Sequence, residues 1–297
     1  MALQSSGQIS LDDIHVEAGG TTGTQASIND SDIRGLISKS SATQMAFNEW
    51  YGSSNITVSY DSTVTTDLTG NQTSGTLSLI GVAVGDILVM QILSTQIQGN
   101  SSSYIPTVSG SWSTAVSAIN EWYSGTQTYH LNQILYRRVN STSENSYSLQ
   151  NGIMGPQGPI KYHLHRFSCN ASSVTHNDVE TRFEEPAGQG GNGSTAFTHV
   201  INSGSAGGAA IAIAQKSYYG GSMSTSHPNY VGVPISTSPS TSSYTRYEHG
   251  DIYNSGSVSM SDVFVRHMST GSDITVSTGY DGSGTGYSYS HCYLTMS

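Results

Sequence analysis

The sequence predicts an all-β protein, an antiparallel β-sandwich or jelly roll preceded by a small N-terminal segment of short strands and helical turns. First, most of its 297 residues form short alternating runs separated by Ser, Gly, Asn and Thr turns. Second, 18 tyrosines and regular Ile, Val and Leu positions supply apolar area that a disordered chain lacks. Third, only 10% of residues are charged. The surface is therefore polar through hydroxyls and amides, as in many extracellular and particle-borne β proteins.

Residues 1–52 form the first predicted unit because one short pattern occurs there three times. The copies read ISLDDI at 9–14, ASINDSDI at 26–33 and MAFNEWY at 45–51. Each predicts a two- or three-residue strand that ends at an Asx residue capping the first turn of a short helix. Equivalent core positions would then be Leu11, Ile28 and Phe47. Since no copy can bury its apolar face alone, the three must fold on each other or against a partner.

Residues 53–297 form the predicted β-sandwich, as one jelly-roll-like domain or as two smaller ones. Residues 87–93 and 209–214 are apolar on both faces, which predicts two central strands. Residues 131–138 fit either a strand or a short helix. The candidate strands are 56–60, 76–80, 86–93, 115–121, 129–139, 147–150, 160–167, 197–201, 209–215, 244–248, 262–268, 274–277 and 287–296.

Two loops separate groups of predicted strands. Residues 151–159, NGIMGPQGP, contain two Gly-Pro-led triplets, which predict a Pro-rich turn because so few triplets cannot form a triple helix. Residues 186–194, PAGQGGNGS, predict a flexible loop within one sandwich or, alternatively, a domain boundary.

Charge and hydropathy exclude several classes of partner. A formal net charge of −10 argues against nucleic acid, because phosphate binding needs clustered Lys and Arg. No apolar run approaches the length of a membrane span, and no signal-peptide pattern opens the sequence. We therefore expect synthesis in a reducing cytoplasm, where Cys169 and Cys292 favour thiols over a disulfide.

No catalytic, nucleotide or metal motif is present in the sequence, so we predict no catalytic residue, cofactor or metal. One acidic cluster consists of Asp178, Glu180, Glu184 and Glu185. The simplest interpretation is a solvated loop, and the alternative is a pair of catalytic carboxylates of a glycosidase.

The run 160–167 carries two histidines on one face of its predicted strand. His163 and His165 lie about 7 Å apart there and would bind a metal only if a third ligand approached. The simpler interpretation places Lys161, His163 and His165 on the wet side of a half-buried strand.

The last predicted strand places Tyr287, Tyr289, His291 and Tyr293 on one face. If the opposite Cys, Leu and Met face is the core, these rings form an outer ladder that can stack on sugars or be covered by a neighbouring subunit. Ordinary cross-strand packing is the alternative. Further candidate contact residues beside turns are Trp122, Tyr123, Tyr218 and Tyr219.

The N-terminal pattern resembles the first segment of virion structural proteins of tailed bacteriophages, particularly cyanophages and other marine phages. In that family ISL-(N/D)-D is followed by SIND-x-x-(I/V)RGL and by (F/L)-x-(E/D)-(W/F)-YG. The matching positions here are Leu11, Asp13, Asn29, Asp30, Arg34, Gly35, Leu36, Trp50, Tyr51 and Gly52. The resemblance implies a structural part of a phage particle, without specifying which part.

We therefore expect a non-enzymatic virion protein, with a tail position (fibre, baseplate or tail tip) favoured over a capsid decoration or head-fibre protein. A glycan-binding adhesin and a depolymerase are the further alternatives. We also expect homo-oligomerisation, because virion parts are repeated by symmetry. The residues expected to dock to other virion proteins are Leu11, Asp13, Ile28, Asn29, Asp30, Arg34, Phe47, Trp50 and Tyr51.

Overall fold

The fold was obtained as a computed structural model of the chain. It describes residues 3–37, 39, 41, 43–51, 55–68, 72–97, 105–123, 128–150, 160–184, 197–201, 210–220, 235–238, 244–253, 257–268, 274–278 and 286–296. Both predicted loops, 151–159 and 186–194, lie outside these residues.

The described residues form three short helical elements followed by sixteen strands. The helices are α1 (Leu11–Glu17), α2 (Ser31–Gly35) and a 3-10 helix (Phe47–Trp50). The strands are β1 (Val58–Leu68), β2 (Ser74–Ser78), β3 (Ile87–Ile97), β4 (Thr107–Val108), β5 (Ser113–Tyr123), β6 (Thr128–Arg138), β7 (Ser146–Gln150), β8 (Ile160–Cys169), β9 (Val174–Glu184), β10 (Phe197–Ile201), β11 (Ala210–Gly220), β12 (Ile235–Ser238), β13 (Tyr244–Tyr253), β14 (Ser257–Met268), β15 (Ile274–Thr278) and β16 (Gly286–Met296).

All sixteen strands belong to antiparallel sheets, so the prediction of an all-β sandwich is confirmed. The large sheets have the orders β1-β8-β3-β6-β5 and β13-β14-β11-β16-β9, and the small sheets have the orders β2-β7-β4 and β10-β15-β12. Among the described strands, none of β1–β8 pairs with any of β9–β16. The chain past residue 53 thus contains two sets of eight strands, and the boundary between them is the turn 170–173.

The two large sheets face each other, and each carries a small sheet on its outer side. Contacts join β5 to β9, β6 to β16, β3 to β11 and β1 to β14 across the centre. In the first set, an apolar core that includes Met90, Tyr147 and Tyr162 lies between the large and small sheets. In the second set, β10 contacts β16 and β12 contacts β14. The result is a stack of four layers, with the large sheets inside.

The stack explains why two strands are apolar on both faces. On β3, Leu88 and Met90 pack toward the small sheet, whereas Ile87 and Val89 pack toward the second large sheet. Both β3 and β11 are the third of five strands, as predicted. Residues 131–138 form part of strand β6, which settles the choice between strand and helix.

Strand β9 was not predicted from the sequence. It contains Asp178, Glu180 and Glu184, so the interpretation of this acidic stretch as a loop is wrong. Strand β9 lies at the edge of its sheet. Edge strands commonly carry charges that discourage pairing with other chains, and this hides the apolar alternation that predicts a strand.

A partly buried ion pair holds the loop that leads into β3. Arg166 donates from Nε to Asp86 at 2.8 Å and from Nη1 to the carbonyl of Ile80 at 2.7 Å. Asp86 is only 3% exposed, so this guanidinium neutralises a carboxylate that has lost most of its water.

Candidate docking segment and aromatic positions

The three N-terminal copies share one hydrogen bond. In each copy, a backbone N–H donates to the carboxylate three residues later and closes a turn. The bonds join Ser10 to Asp13 at 2.8 Å, Ser27 to Asp30 at 2.7 Å and Ala46 to Glu49 at 2.8 Å. The sequence repeat therefore corresponds to a repeated structure, although its acidic residue accepts from the preceding backbone instead of capping a helix from the front.

The first copy has the most complete version of this turn. Ser10 is the N-cap of α1, and its hydroxyl accepts from the backbone N–H of Asp13 at 3.1 Å. The Asp13 carboxylate accepts in return from Ser10, which forms a capping box. The Ser10 hydroxyl and backbone bonds lower the pKa of Asp13. The short strands predicted for the three copies are not found among the described residues 3–51.

The copies fold on each other around a small core of their own. Ile9, Ile14, Ile33 and Trp50 are at most 9% exposed, and the indole N–H of Trp50 donates to the carbonyl of Ile33 at 3.0 Å. Of the two alternatives that the sequence left open, the structure therefore shows the one in which the copies fold on each other. Four buried side chains suffice for a compact unit, but they bury little apolar area for its length.

The predicted core positions are not the ones that the structure buries. Leu11 and Ile28 are half-buried, and Phe47 is 43% exposed. In their place, Ile14 and Trp50 are fully buried. The reason is that the copies form helical turns, in which the side chains that share a face are spaced by three or four residues and not by two.

The remaining predicted docking residues divide into structural and surface positions. The hydroxyl of Tyr51 donates to the carbonyl of Gly7 and closes the segment, and Arg34 lies half-buried on α2. Asn29 and Phe47 are exposed, as is Val16 on α1. The segment thus presents exposed apolar side chains on a backbone held by its capping bonds.

One linkage between this segment and the first large sheet passes through Asn55. Its N–H donates to Glu17 at 3.0 Å, and its carbonyl accepts from the side chain of Asn170 at 2.9 Å. Asn170 also accepts from the N–H of Thr57 at 2.8 Å. The segment is therefore held at the end of the sandwich where β1 begins and β8 ends.

The expectation of an outer aromatic ladder on β16 is wrong for three of its members. Tyr289 and Tyr293 are fully buried and His291 is 1% exposed. Cys292 and Leu294 face the first large sheet, while β10 of the small sheet contacts β16. The Tyr289 hydroxyl lies 3.0 Å from His291 Nδ1, and their rings are 5.5 Å apart. Packing within the chain, the alternative considered above, accounts for these residues.

The other aromatic positions share a location in the fold. Their side chains lie outside the described part, but their backbones are placed. Trp122 and Tyr123 end β5, Tyr218 and Tyr219 lie near the end of β11, and Tyr287 lies at the start of β16. The strand pairing brings these ends to the end of the sandwich opposite the N-terminal segment. Their role in ligand or subunit contact stays a prediction.

The face of β8 that was expected to be wet is buried against the second large sheet. Lys161 is 3% exposed, and His163 and His165 are fully buried. Thr63 and Gln91 lie 2.7 and 2.9 Å from the two ring nitrogens of His165. Burial lowers the pKa of His165 to about 3.

The remaining chemical features of the chain are few. Within the described ranges, no group of three or more His, Cys, Asp or Glu side chains is placed to hold a metal ion. Both cysteines are free thiols, with Cys292 buried and Cys169 half-buried. No helix in the described part of the chain has the length and hydropathy to span a membrane. Glu185 of the acidic cluster lies outside the described residues.

No protein-family model matches the sequence, and no curated protein matches it.

Proposed function

We propose that this protein is a non-enzymatic structural component of a tailed-phage virion, with a position in the tail favoured over one on the capsid. The observation that supports the proposal is the N-terminal segment. Its phage-type motif corresponds to a compact unit with its own core, located at one end of an all-β stack. In this proposal the segment docks to another virion protein, and the stack is displayed outward.

Exposed apolar side chains are the docking contacts in this proposal. Phe47 and Val16 are each 43% exposed. Other side chains form the core of the segment, so these two are free to contact a partner. An exposed aromatic ring on a rigid turn is a typical anchor for a partner.

Replacing Phe47 with aspartate is expected to lower incorporation of the protein into particles at least tenfold without unfolding the segment. A charge at this site would have to be desolvated against the partner. Val179→Asp is the matched control, since Val179 is 44% exposed but lies on β9 in the second set of strands. Quantitative mass spectrometry of purified particles, with heads and tails separated, measures both incorporation and location. Equal incorporation of the two variants would contradict the docking role.

A second candidate function is contact with host-surface glycans through the opposite end of the stack. Five aromatic positions converge there through the topology of β5, β11 and β16. Aromatic rings stack on the apolar faces of sugars. The burial of Tyr289 and Tyr293 removes the earlier basis for this function, so it now depends on the positions near the strand ends.

We expect Trp122→Ala to lower the affinity for a host polysaccharide at least fivefold, as measured by titration with purified host lipopolysaccharide or capsule. Trp112→Ala is the control, because Trp112 packs in the first set beside Tyr147 with ring centroids 5.1 Å apart. An unchanged affinity of the Trp122 variant would remove glycan contact at this end. Release of reducing sugar during the titration would instead favour the depolymerase alternative.

A further inference from the structure

The two sets of eight strands have the same topology. When each set is counted from its own first strand, both large sheets read 1-8-3-6-5 and both small sheets read 2-7-4. Every strand of β1–β8 thus has an equivalent in β9–β16. Agreement over all sixteen strands indicates a repeated unit.

The strand registers agree as well. Ile87 of β3 pairs with Phe167 of β8, and Ile211 of β11 pairs with Leu294 of β16. Four residues further on, Gln91 and Gln215 occupy equivalent positions. The central strands therefore align as ILVMQ and IAIAQ, with the first and last residues identical.

Equivalent residues meet at the centre of the stack. Gln91 donates to the side-chain oxygen of Gln215 at 3.3 Å and to the carbonyl of Ala214 at 3.0 Å, and both glutamines are fully buried. A contact between a residue and its own equivalent is the signature of a two-fold, isologous interface.

One contact away from the centre has an equivalent under the same pseudo-symmetry. Strand β1 contacts β14. The equivalent pair is β9 with β6, and there Tyr136 lies 2.8 Å from His176 Nδ1.

Each set also has a core separate from this interface. In the first set, Met90 and Tyr162 lie on the side of the large sheet that faces the small sheet, away from the interface. In the second set, Tyr289 and Tyr293 occupy the corresponding outer side and are fully buried. Each set therefore has the two packed layers that a stable β unit requires.

We propose that the chain is a covalent pseudo-dimer of two jelly rolls, residues 55–169 and 174–296. The two units bind each other through their large sheets as the subunits of an isologous dimer do, and the turn 170–173 connects them. The order 1-8-3-6 in one sheet and 2-7-4 in the other is the strand order of a jelly roll, with the fifth strand paired to the sixth.

Cleavage of the connecting turn in the full chain tests the proposal. A specific protease site is inserted between Ser172 and Ser173, which are exposed. After cleavage we expect the two fragments to elute together in size-exclusion chromatography, with an unchanged far-UV circular dichroism spectrum. Loss of the β signal on cleavage would overturn the proposal.

A Gln91→Glu variant of the cleavable chain distinguishes two interpretations of co-elution. The fragments are either two independently folded units that bind each other or the two parts of a single domain whose chain has been cut. A carboxylate at the centre of the interface is expected to weaken association of the fragments about a hundredfold, because it cannot donate to Ala214 and Gln215 as the amide does and instead faces their oxygens. Gln150→Glu, at an exposed position on β7, is the matched control and should leave the fragments associated.

Two separate peaks that each retain a β spectrum would support the proposal. Separation with loss of the β spectrum, or co-elution of the Gln91→Glu fragments at every concentration with one shared unfolding transition, would overturn it.

Discussion

Replacing Trp50 with alanine is expected to unfold the N-terminal segment while both eight-stranded units stay folded. Among the described residues of the segment, Trp50 is one of four apolar side chains that are at most 9% exposed, and its indole also bonds to Ile33. Truncating a buried Trp costs about 3–5 kcal/mol. A segment of this size has little more stability than that, since small units bury too small a fraction of their surface.

Trypsin provides a local readout of this unfolding. The segment contains two basic cleavage sites, Arg34 on α2 and Lys39, which forms a salt bridge with Glu49 at 2.8 Å. In Trp50→Ala both sites should be cut at least tenfold faster, while the thermal transition of the sandwich, followed by circular dichroism, stays within a few degrees of its original value.

Phe47→Ala is the matched control for Trp50→Ala. It removes an aromatic ring from the same 3-10 helix, with ring centroids 5.8 Å from Trp50, but at an exposed position. We expect the free energy of unfolding of the segment to fall by about 1 kcal/mol or less and its resistance to trypsin to be retained. Equal trypsin sensitivity of the two variants would show that the small core around Trp50 does not hold the segment together.

The free energy of unfolding of the sandwich is expected to decrease as the pH falls, beginning at a pH well above the range in which carboxylates titrate. Burial lowers the pKa of His165 to about 3 from an ordinary value of 6.5. The imidazole is therefore neutral in the folded protein, whereas the unfolded chain takes up a proton below pH 6.5. The stability contributed by this difference is complete above pH 6.5 and is lost as the pH falls toward 3.

The free energy of unfolding is expected to fall by up to about 1.4 kcal/mol per pH unit. The total loss is about 2 to 3 kcal/mol between pH 6.5 and 4.5. The free energy of unfolding should be measured by urea titration across this interval, in which most carboxylates remain ionised. The groups that surround His165 are Thr63, Gln91 and the ring of His163, whose centroid lies 6.4 Å away.

His165→Gln should flatten this pH dependence, because a side-chain amide can bond to Gln91 without taking up a proton. His15→Gln is the control, since His15 lies on α1 outside the sandwich. The comparison uses the slope against pH, so any uniform loss of stability in the variant does not affect it. A slope that His165→Gln leaves unchanged would show that His165 does not cause the acid sensitivity.

Much of the strand content could be predicted from the sequence because each strand contains its own local pattern. The predicted central strand 86–93 corresponds to β3, and the predicted last strand 287–296 corresponds to β16. Strand β9 was missed because its polar edge position leaves little apolar alternation. Its pairing with β16 places it in a sheet, and that pairing joins segments more than a hundred residues apart.

The candidate site was only partly predictable for a similar reason. The three N-terminal copies are visible in the sequence, and their shared hydrogen bond follows from the fixed spacing of an acidic residue. The sequence alone left open whether the copies fold on each other. The buried contact between Trp50 and Ile33 decided this, because it depends on how the three turns lie in space.

The sequence by itself determined the all-β class, the two central strands and the repeated N-terminal turn, since these depend on the periodicity of neighbouring side chains. Only the tertiary structure decided which strand faces are buried. Alternation marks two faces of a strand but does not say whether a second sheet covers the polar one. That is why Lys161 and His165, on the polar face of β8, lie in the middle of the stack and not in water.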